Sequence, residues 1–183
     1  NLILNFSKLL NQKATHIPSA QHVLDDNYYK RIEAIQFSMT HDDGMHTEDI
    51  EDADLILLGV SRTSKTPTSI YLANRGYKTL NIPLIEAHDI PAILRQTPER
   101  FCVVGLSVEA ERLFDIRTNR LETMKEKKIS SYSNLSFIQR EIESSKKIFK
   151  KYNWPVIDVT RKSVEETAAS IIRIFDIKKG DKK

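Results

Sequence analysis

The segment "DLILLGVSRTSKTPTSIYLANRG", Asp54 to Gly76, constrains the fold more than any other. Its run Leu55 to Leu58, closed by Gly59, is continuously apolar rather than alternating, the mark of a short strand covered on both faces. Pro67 falls where a first helical turn tolerates a missing N–H, and Gly76 falls where a helix stops, so Thr66 to Arg75 is predicted helical. Three further apolar runs near turn residues, "YKTLNIPL", "RFCVVGLS" and "WPVIDVT", read as strands. Between them, Glu109 to Leu121 and Ser133 to Tyr152 have helical spacing, the latter through Leu135, Ile138, Ile142 and Phe149. Strands alternating with helices predict an α/β fold, a mostly parallel sheet flanked by helices and containing a P-loop-like strand-loop-helix.

Other segments fill in the frame. Leu2, Ile3, Phe6, Leu9 and Leu10 have helical spacing, which predicts a helix over residues 1 to about 15. "DDNYYKRIEAIQFSM" is rich in helix formers and sets Tyr28, Ile32, Ile35 and Met39 on one face, while "HDDGMH" breaks it with turn chemistry. Ser163 with Glu166 three residues on forms a capping box, and Val164, Ala168, Ile171, Ile172 and Phe175 then make the stripe of a last helix. With 183 residues and no internal repeat or linker, residues 1–177 are expected to form one catalytic domain and 178–183 a solvated basic tail. The chain starts at Asn1 on an apolar-rich segment, which reads as part of a longer protein.

Composition narrows the class. Apolar residues make up 40% and charged residues 29%, a balance that supports a packed core and argues against a disordered chain. A net charge of +3, much of it in the last six residues, gives no nucleic-acid patch. The single cysteine, Cys102, excludes an intramolecular disulfide and a cysteine-rich zinc site, which fits a reducing compartment such as the cytoplasm. No apolar stretch approaches the roughly 18 residues of a membrane span.

"GVSRTSKT", Gly59 to Thr66, departs by one letter from the phosphate-binding pattern G-x-x-x-x-G-K-[ST], with Ser64 in place of the second glycine. Such a site needs converging backbone amides, a helix N-terminus, a cation for the outer phosphates and a hydroxyl for the metal. Gly59 supplies the turn, the loop Val60, Ser61, Arg62, Thr63 and Ser64 the amides, Lys65 the cation, and Thr66 the hydroxyl placed for magnesium. A serine restricts φ, so the loop is expected to be reshaped, while its hydroxyl adds a donor and Arg62 a second cation. The other reading is a polar strand-to-helix loop carrying an ordinary surface lysine.

"GVSRTSKTPTSIYLANRGYKTLNIPL", with "DDNYYKRIEAIQFSMTHDDG" before it and "VVGLSVEAERLFDIRTNRL" and "WPVIDVTRKSVEETAASI" after it, resembles the pyruvate, phosphate dikinase regulatory protein family. It is also similar to the sister regulators of phosphoenolpyruvate synthase. These blocks span about Asp25 to Ile172, and serine in place of the loop's second glycine is a variant within that family. The resemblance implies a further N-terminal region, a homodimer and a bifunctional enzyme. One activity is an ADP-dependent protein kinase that phosphorylates a threonine of the dikinase and inactivates it. The other removes that phosphate with inorganic phosphate as acceptor, releasing pyrophosphate. Phosphoenolpyruvate synthase as target, a small-molecule kinase and a nucleotide-sensing module without catalysis are the competing readings.

Kinase chemistry also needs a carboxylate to accept the target hydroxyl's proton. "HDDG" offers Asp43 first and Asp42 second, one of which can instead approach the metal, with His41 as a neighbour; an Asp-Asp-Gly turn is the bland alternative. Arg31 and Glu33 read as a helix-surface pair or as reaching the site. Arg117 and Arg120, with Arg112 nearby, share a helical face that either grips phosphate or is solvated. Asp158 ends the fourth strand, where open sheets place ligand contacts. Cys102 and Trp154 read as buried packing residues.

Overall fold

A computed structural model describes residues 2–13, 25–84, 90–124 and 132–180. Among the described residues eleven regular elements follow in the order α1 (Leu2–Leu10), α2 (Asp26–Thr40), β1 (Leu55–Gly59), α3 (Lys65–Ala73), β2 (Thr79–Pro83), α4 (Ala92–Gln96), β3 (Val103–Ser107), α5 (Ala110–Met124), α6 (Leu135–Lys151), β4 (Val156–Asp158) and α7 (Val164–Gly180). Short 3-10 turns at Asp42–Gly44 and Thr47–Asp52 join α2 to β1. Among the described residues, no helix is long and apolar enough to cross a membrane.

The four strands form one wholly parallel sheet in the order β2-β1-β3-β4. From β1 the chain winds through α3 to β2 on one side, and then crosses to β3 on the other. Neighbouring connections thus leave β1 in opposite directions, which opens a crevice at its carboxyl end. All five residues of β1 are buried. Leu55 and Leu57 face a layer that includes Leu72, Val104, Leu106, Ala168 and Ile171, whereas Ile56 and Leu58 face Leu80, Ile82, Leu94, Val103 and Phe149. Two-sided burial explains the continuous apolar run, and each such side chain contributes about 2 kcal/mol relative to exposure.

Local signals hold at the helix ends. Gly76 takes φ +88° just after α3, the left-handed conformation that a helix terminus favours and a glycine adopts without strain. The capping box forms as expected, with Ser163 N donating to Glu166 Oε2 at 2.8 Å and Glu166 N to Ser163 Oγ at 3.2 Å.

Two expectations are corrected, and α2 buries a face that the sequence reading did not single out. The first helix ends at Leu10 rather than near residue 15, and residues 14 and 15 lie outside the described residues. The last helix runs through Lys178, Lys179 and Gly180, so the basic tail placed at 178–183 starts inside it; Lys178 Nζ donates to Phe101 O at 2.5 Å, and residues 181–183 lie outside the described residues. On α2 the buried side chains are Ala34 and Ser38, while Tyr28, Ile32 and Met39 are exposed. The reason is the sheet edge that α2 covers: β2 is an edge strand, and its Thr79 N–H donates to Ser38 Oγ at 3.0 Å. Small residues let the helix approach closely enough for that bond. Helix α4, five residues long, has no counterpart in the sequence reading.

Candidate functional site

The loop after β1 enters the crevice at the sheet's carboxyl edge. Gly59 is required by close approach: a Cβ there would meet Leu106 O at 2.7 Å and Thr63 Oγ1 at 2.8 Å. Within the loop, Thr63 Oγ1 and Lys65 Nζ both donate to Val60 O at 2.9 Å. Arg62 and Ser64 take positive φ, 74° and 57°. Ser64, with ψ 25°, holds the left-handed conformation that a glycine adopts freely. A side chain there costs about 1–2 kcal/mol, which the Val60 hydrogen bonds and the start of α3 at Lys65 offset.

Lys65 is 5% exposed. Burial pulls its ammonium down to about 8, opposed by the charges of Asp43 and Asp42 and reinforced by those of Arg117 and Arg62. The lysine of this loop is therefore inside the protein, folded onto Val60 O, rather than on the surface. Thr66, the next residue, is exposed and donates from Oγ1 to Asp42 Oδ1 at 3.1 Å.

The two carboxylates of "HDDG" separate in role. Asp42 Oδ1 also accepts from the Nδ2 of Asn81, which in turn lies 3.2 Å from Thr66 Oγ1. Asp43 sits in the left-handed region at φ 52° with its side chain exposed, and its charge acts on Lys65 more strongly than that of Asp42. His41 is a buried neighbour of both. Its ring stacks on Phe37 with centroids 3.8 Å apart, Nδ1 donates to Phe37 O at 2.7 Å, and its own carbonyl accepts from Asn81 N at 3.2 Å. Asn81, absent from the sequence reading, is fully buried, and its only signal was an amide in the otherwise apolar "TLNIP".

Arg117 and Arg120 part company. Arg117 is 1% exposed and donates from Nη2 to Ser61 O of the loop at 3.2 Å, whereas Arg120 and Arg112 are exposed. Arg62 Nε donates to the hydroxyl of Tyr132 at 3.4 Å. The remaining candidates serve the scaffold. Glu33 pairs with Lys78 at 2.6 Å and raises its pKa, while Arg31 is exposed on α2. Asp158 accepts from Thr160 N at 2.8 Å, and hydrogen bonds from Thr160 lower its pKa. Cys102 and Trp154 are buried; the indole stacks on Tyr152 with centroids 4.7 Å apart.

Two cavities of about 310 Å³, one lined by Glu51, Arg100, Phe101 and Phe175 and the other by Cys102, Trp154 and Ile174, open at the amino ends of the strands. That is the far side of the sheet from Lys65, Thr66, Asp42 and Asp43. Among the described residues no cluster of three or more His, Cys, Asp or Glu can hold a metal ion. The oxygen pair nearest that purpose is Thr66 Oγ1 with Asp42 Oδ1.

Fold and site together define a parallel α/β protein with a lysine, a hydroxyl and two carboxylates gathered around the loop that follows its first strand. The chain belongs to the kinase/pyrophosphorylase family, which it matches over residues 1–172. It is 65% identical over 181 residues to a protein of Pelagibacter ubique, covering 99% of this chain and 66% of the relative. A protein of Erythrobacter litoralis is 49% identical with 94% and 64% covered, and one of Rhizorhabdus wittichii 48% identical with 93% and 62% covered. All three are named as pyruvate, phosphate dikinase regulatory proteins. The chain spans about two thirds of the length of these curated relatives.

Proposed function

We propose that this chain carries the catalytic site of a bifunctional regulator of pyruvate, phosphate dikinase. In one direction the terminal phosphoryl group of ADP passes to a target threonine: the bond between the two phosphates breaks, the threonine oxygen bonds to phosphorus, and AMP leaves while the hydroxyl proton passes to a base. In the other direction inorganic phosphate attacks the phosphothreonine, releasing the threonine hydroxyl and pyrophosphate. One loop serves both, because each reaction requires two phosphoryl groups held next to one another. The observation that carries this reading is the gathering of Lys65, Thr66, Asp42 and Asp43, from separate parts of the chain, at the crevice beyond β1. The family and the printed names of the relatives support the substrate.

Lys65 supplies the cation for the phosphates, and the amides of Val60 to Ser64 surround them. Thr66 Oγ1 and Asp42 Oδ1 are hard oxygen donors side by side, which fits magnesium, an ion held by one or two protein oxygens together with phosphates and water. Bound there, magnesium supplies charge neutralisation on the phosphate oxygens. Asp42 Oδ1 is already engaged by Thr66 and Asn81, and the exposed Asp43 is left to accept the threonine proton and to return it in the opposite reaction.

The test is incubation of the protein with ADP and phosphohistidyl dikinase, reading phosphothreonine by mass spectrometry and AMP release. Asp43→Asn is expected to lower turnover by on the order of 10²–10⁴-fold with ADP affinity within about twofold. Asp42→Asn is expected to raise the magnesium concentration needed for half-maximal rate. Normal turnover in Asp43→Asn removes it as the base. ADP binding without phosphothreonine in the wild type makes the chain a nucleotide-sensing module instead, and phosphorylation of phosphoenolpyruvate synthase in place of the dikinase changes the target but not the chemistry.

A further inference from the structure

An anion loop works only if its carbonyls turn away from the anion, since an exposed carbonyl oxygen repels what the amides attract. Side chains do this in Gly59–Thr66. Val60 O is occupied by Thr63 Oγ1 and Lys65 Nζ. Ser61 O is occupied by Nη2 of Arg117, which reaches it from α5, 56 residues further along the chain. Both terminal nitrogens of Arg117 are engaged within the protein, and its buried Nε has no hydrogen-bond partner among the described residues. Nη1 donates to Glu141 Oε2 of α6 at 2.7 Å and to Tyr132 O at 3.2 Å, and the guanidinium lies 4.7 Å from the centre of the Tyr132 ring. At 1% exposure, it is held beneath the loop and neutralised there.

We propose that Arg117 is a positioning residue of the phosphate site, acting through the Ser61 carbonyl; this rests on the reading of Gly59–Thr66 as a phosphate-binding loop. In a planar trans peptide the C=O and the following N–H point in opposite directions. Holding Ser61 O from below therefore aims the Arg62 N–H away from Arg117 and toward the side where the loop meets its anion. Arg62 has φ 74°, a conformation that a side-chain-bearing residue keeps only under restraint. Arg117 supplies that restraint, and the Arg117–Glu141 pair ties the loop to both α5 and α6.

The experiment measures pyrophosphate binding by calorimetry for the wild type, for Arg117→Lys and for the double variant Arg117→Met with Glu141→Leu. Lysine keeps the charge but lacks the planar fork that holds Glu141 and Ser61 together, and its ammonium pairs with the Glu141 carboxylate in preference to the Ser61 carbonyl. The double variant replaces a buried ion pair by an apolar contact, an exchange that folds tolerate. Both are expected to fold and to bind pyrophosphate at least about tenfold more weakly, because the loop is no longer preorganised. In the wild type, the Arg62 amide resonance is expected to shift on adding pyrophosphate. Wild-type affinity in either folded variant, or an Arg62 amide that does not respond, overturns the proposal and leaves Arg117 a structural ion pair. If the wild type itself fails to bind pyrophosphate, the phosphate-loop reading falls instead.

Discussion

Lys65→Met is expected to abolish phosphoryl transfer and, at neutral pH, to make the protein more stable. The loss of rate follows from removing the cation that meets the phosphates, on the order of 10²–10³-fold or more. The gain in stability follows from burial. Desolvation pulls Lys65 from 10.5 to about 8, a difference that corresponds to about 3 kcal/mol spent keeping the ammonium charged inside the fold. Methionine forfeits the hydrogen bond to Val60 O, about 1 kcal/mol, so the net gain is about 1–2 kcal/mol.

The pH dependence gives this prediction its sign. Between about 8 and 10.5 the unfolded chain holds a proton on Lys65 that the folded chain has lost, so wild-type stability rises with pH across that window. The advantage of Lys65→Met is full below about 8 and gone above 10.5. Urea denaturation of both proteins at pH 7 and pH 10.5 checks it; a variant less stable than wild type at pH 7 would show that the Val60 contact outweighs desolvation. By the same charge argument, ADP affinity of the wild type is expected to weaken as pH rises past about 8, where the free loop's lysine loses its proton.

Gly59→Ala carries the other large effect. The new Cβ would lie 2.7 Å from Leu106 O and 2.8 Å from Thr63 Oγ1. Thr63 can rotate, but Leu106 O belongs to the backbone of β3, an inner strand between β1 and β4, and cannot swing aside. The strand end and the loop must therefore shift, at a cost of about 1–3 kcal/mol, and ADP affinity is expected to fall together with stability. Calorimetry and urea denaturation test the two readouts. Adding Thr63→Ala should restore only part of the loss, since the carbonyl clash remains; full recovery would place the strain at Thr63 alone.

The main outline of the fold was legible in the sequence. Four apolar runs became four strands; β1 and β3, buried throughout, carry continuous apolar residues for that reason, whereas β4 at the sheet edge buries only Ile157. Ser163 and Glu166 marked the last helix, because a capping box is completed within four residues. Helix α4 was not legible, since five residues are too few to display a 3.6-residue period. The buried face of α2 was not legible either, because the amide of an edge strand needed an acceptor and Ser38, a polar residue off the apolar stripe, supplied it.

What the sequence by itself determined is local: the strand-loop-helix at Gly59–Thr66, the turn at Asp42–Gly44 and the order of the elements, each written in residues a few positions apart. Only the tertiary structure decided how those parts meet. Asp42 reaches Thr66 across 24 positions, Asn81 joins Asp42 across 39, and Arg117 grips Ser61 across 56. None of these distances has a periodicity to read. They arise because a parallel sheet brings the ends of its strands to one edge, so that side chains distant in sequence share a single, partly desolvated site where their charges act on one another.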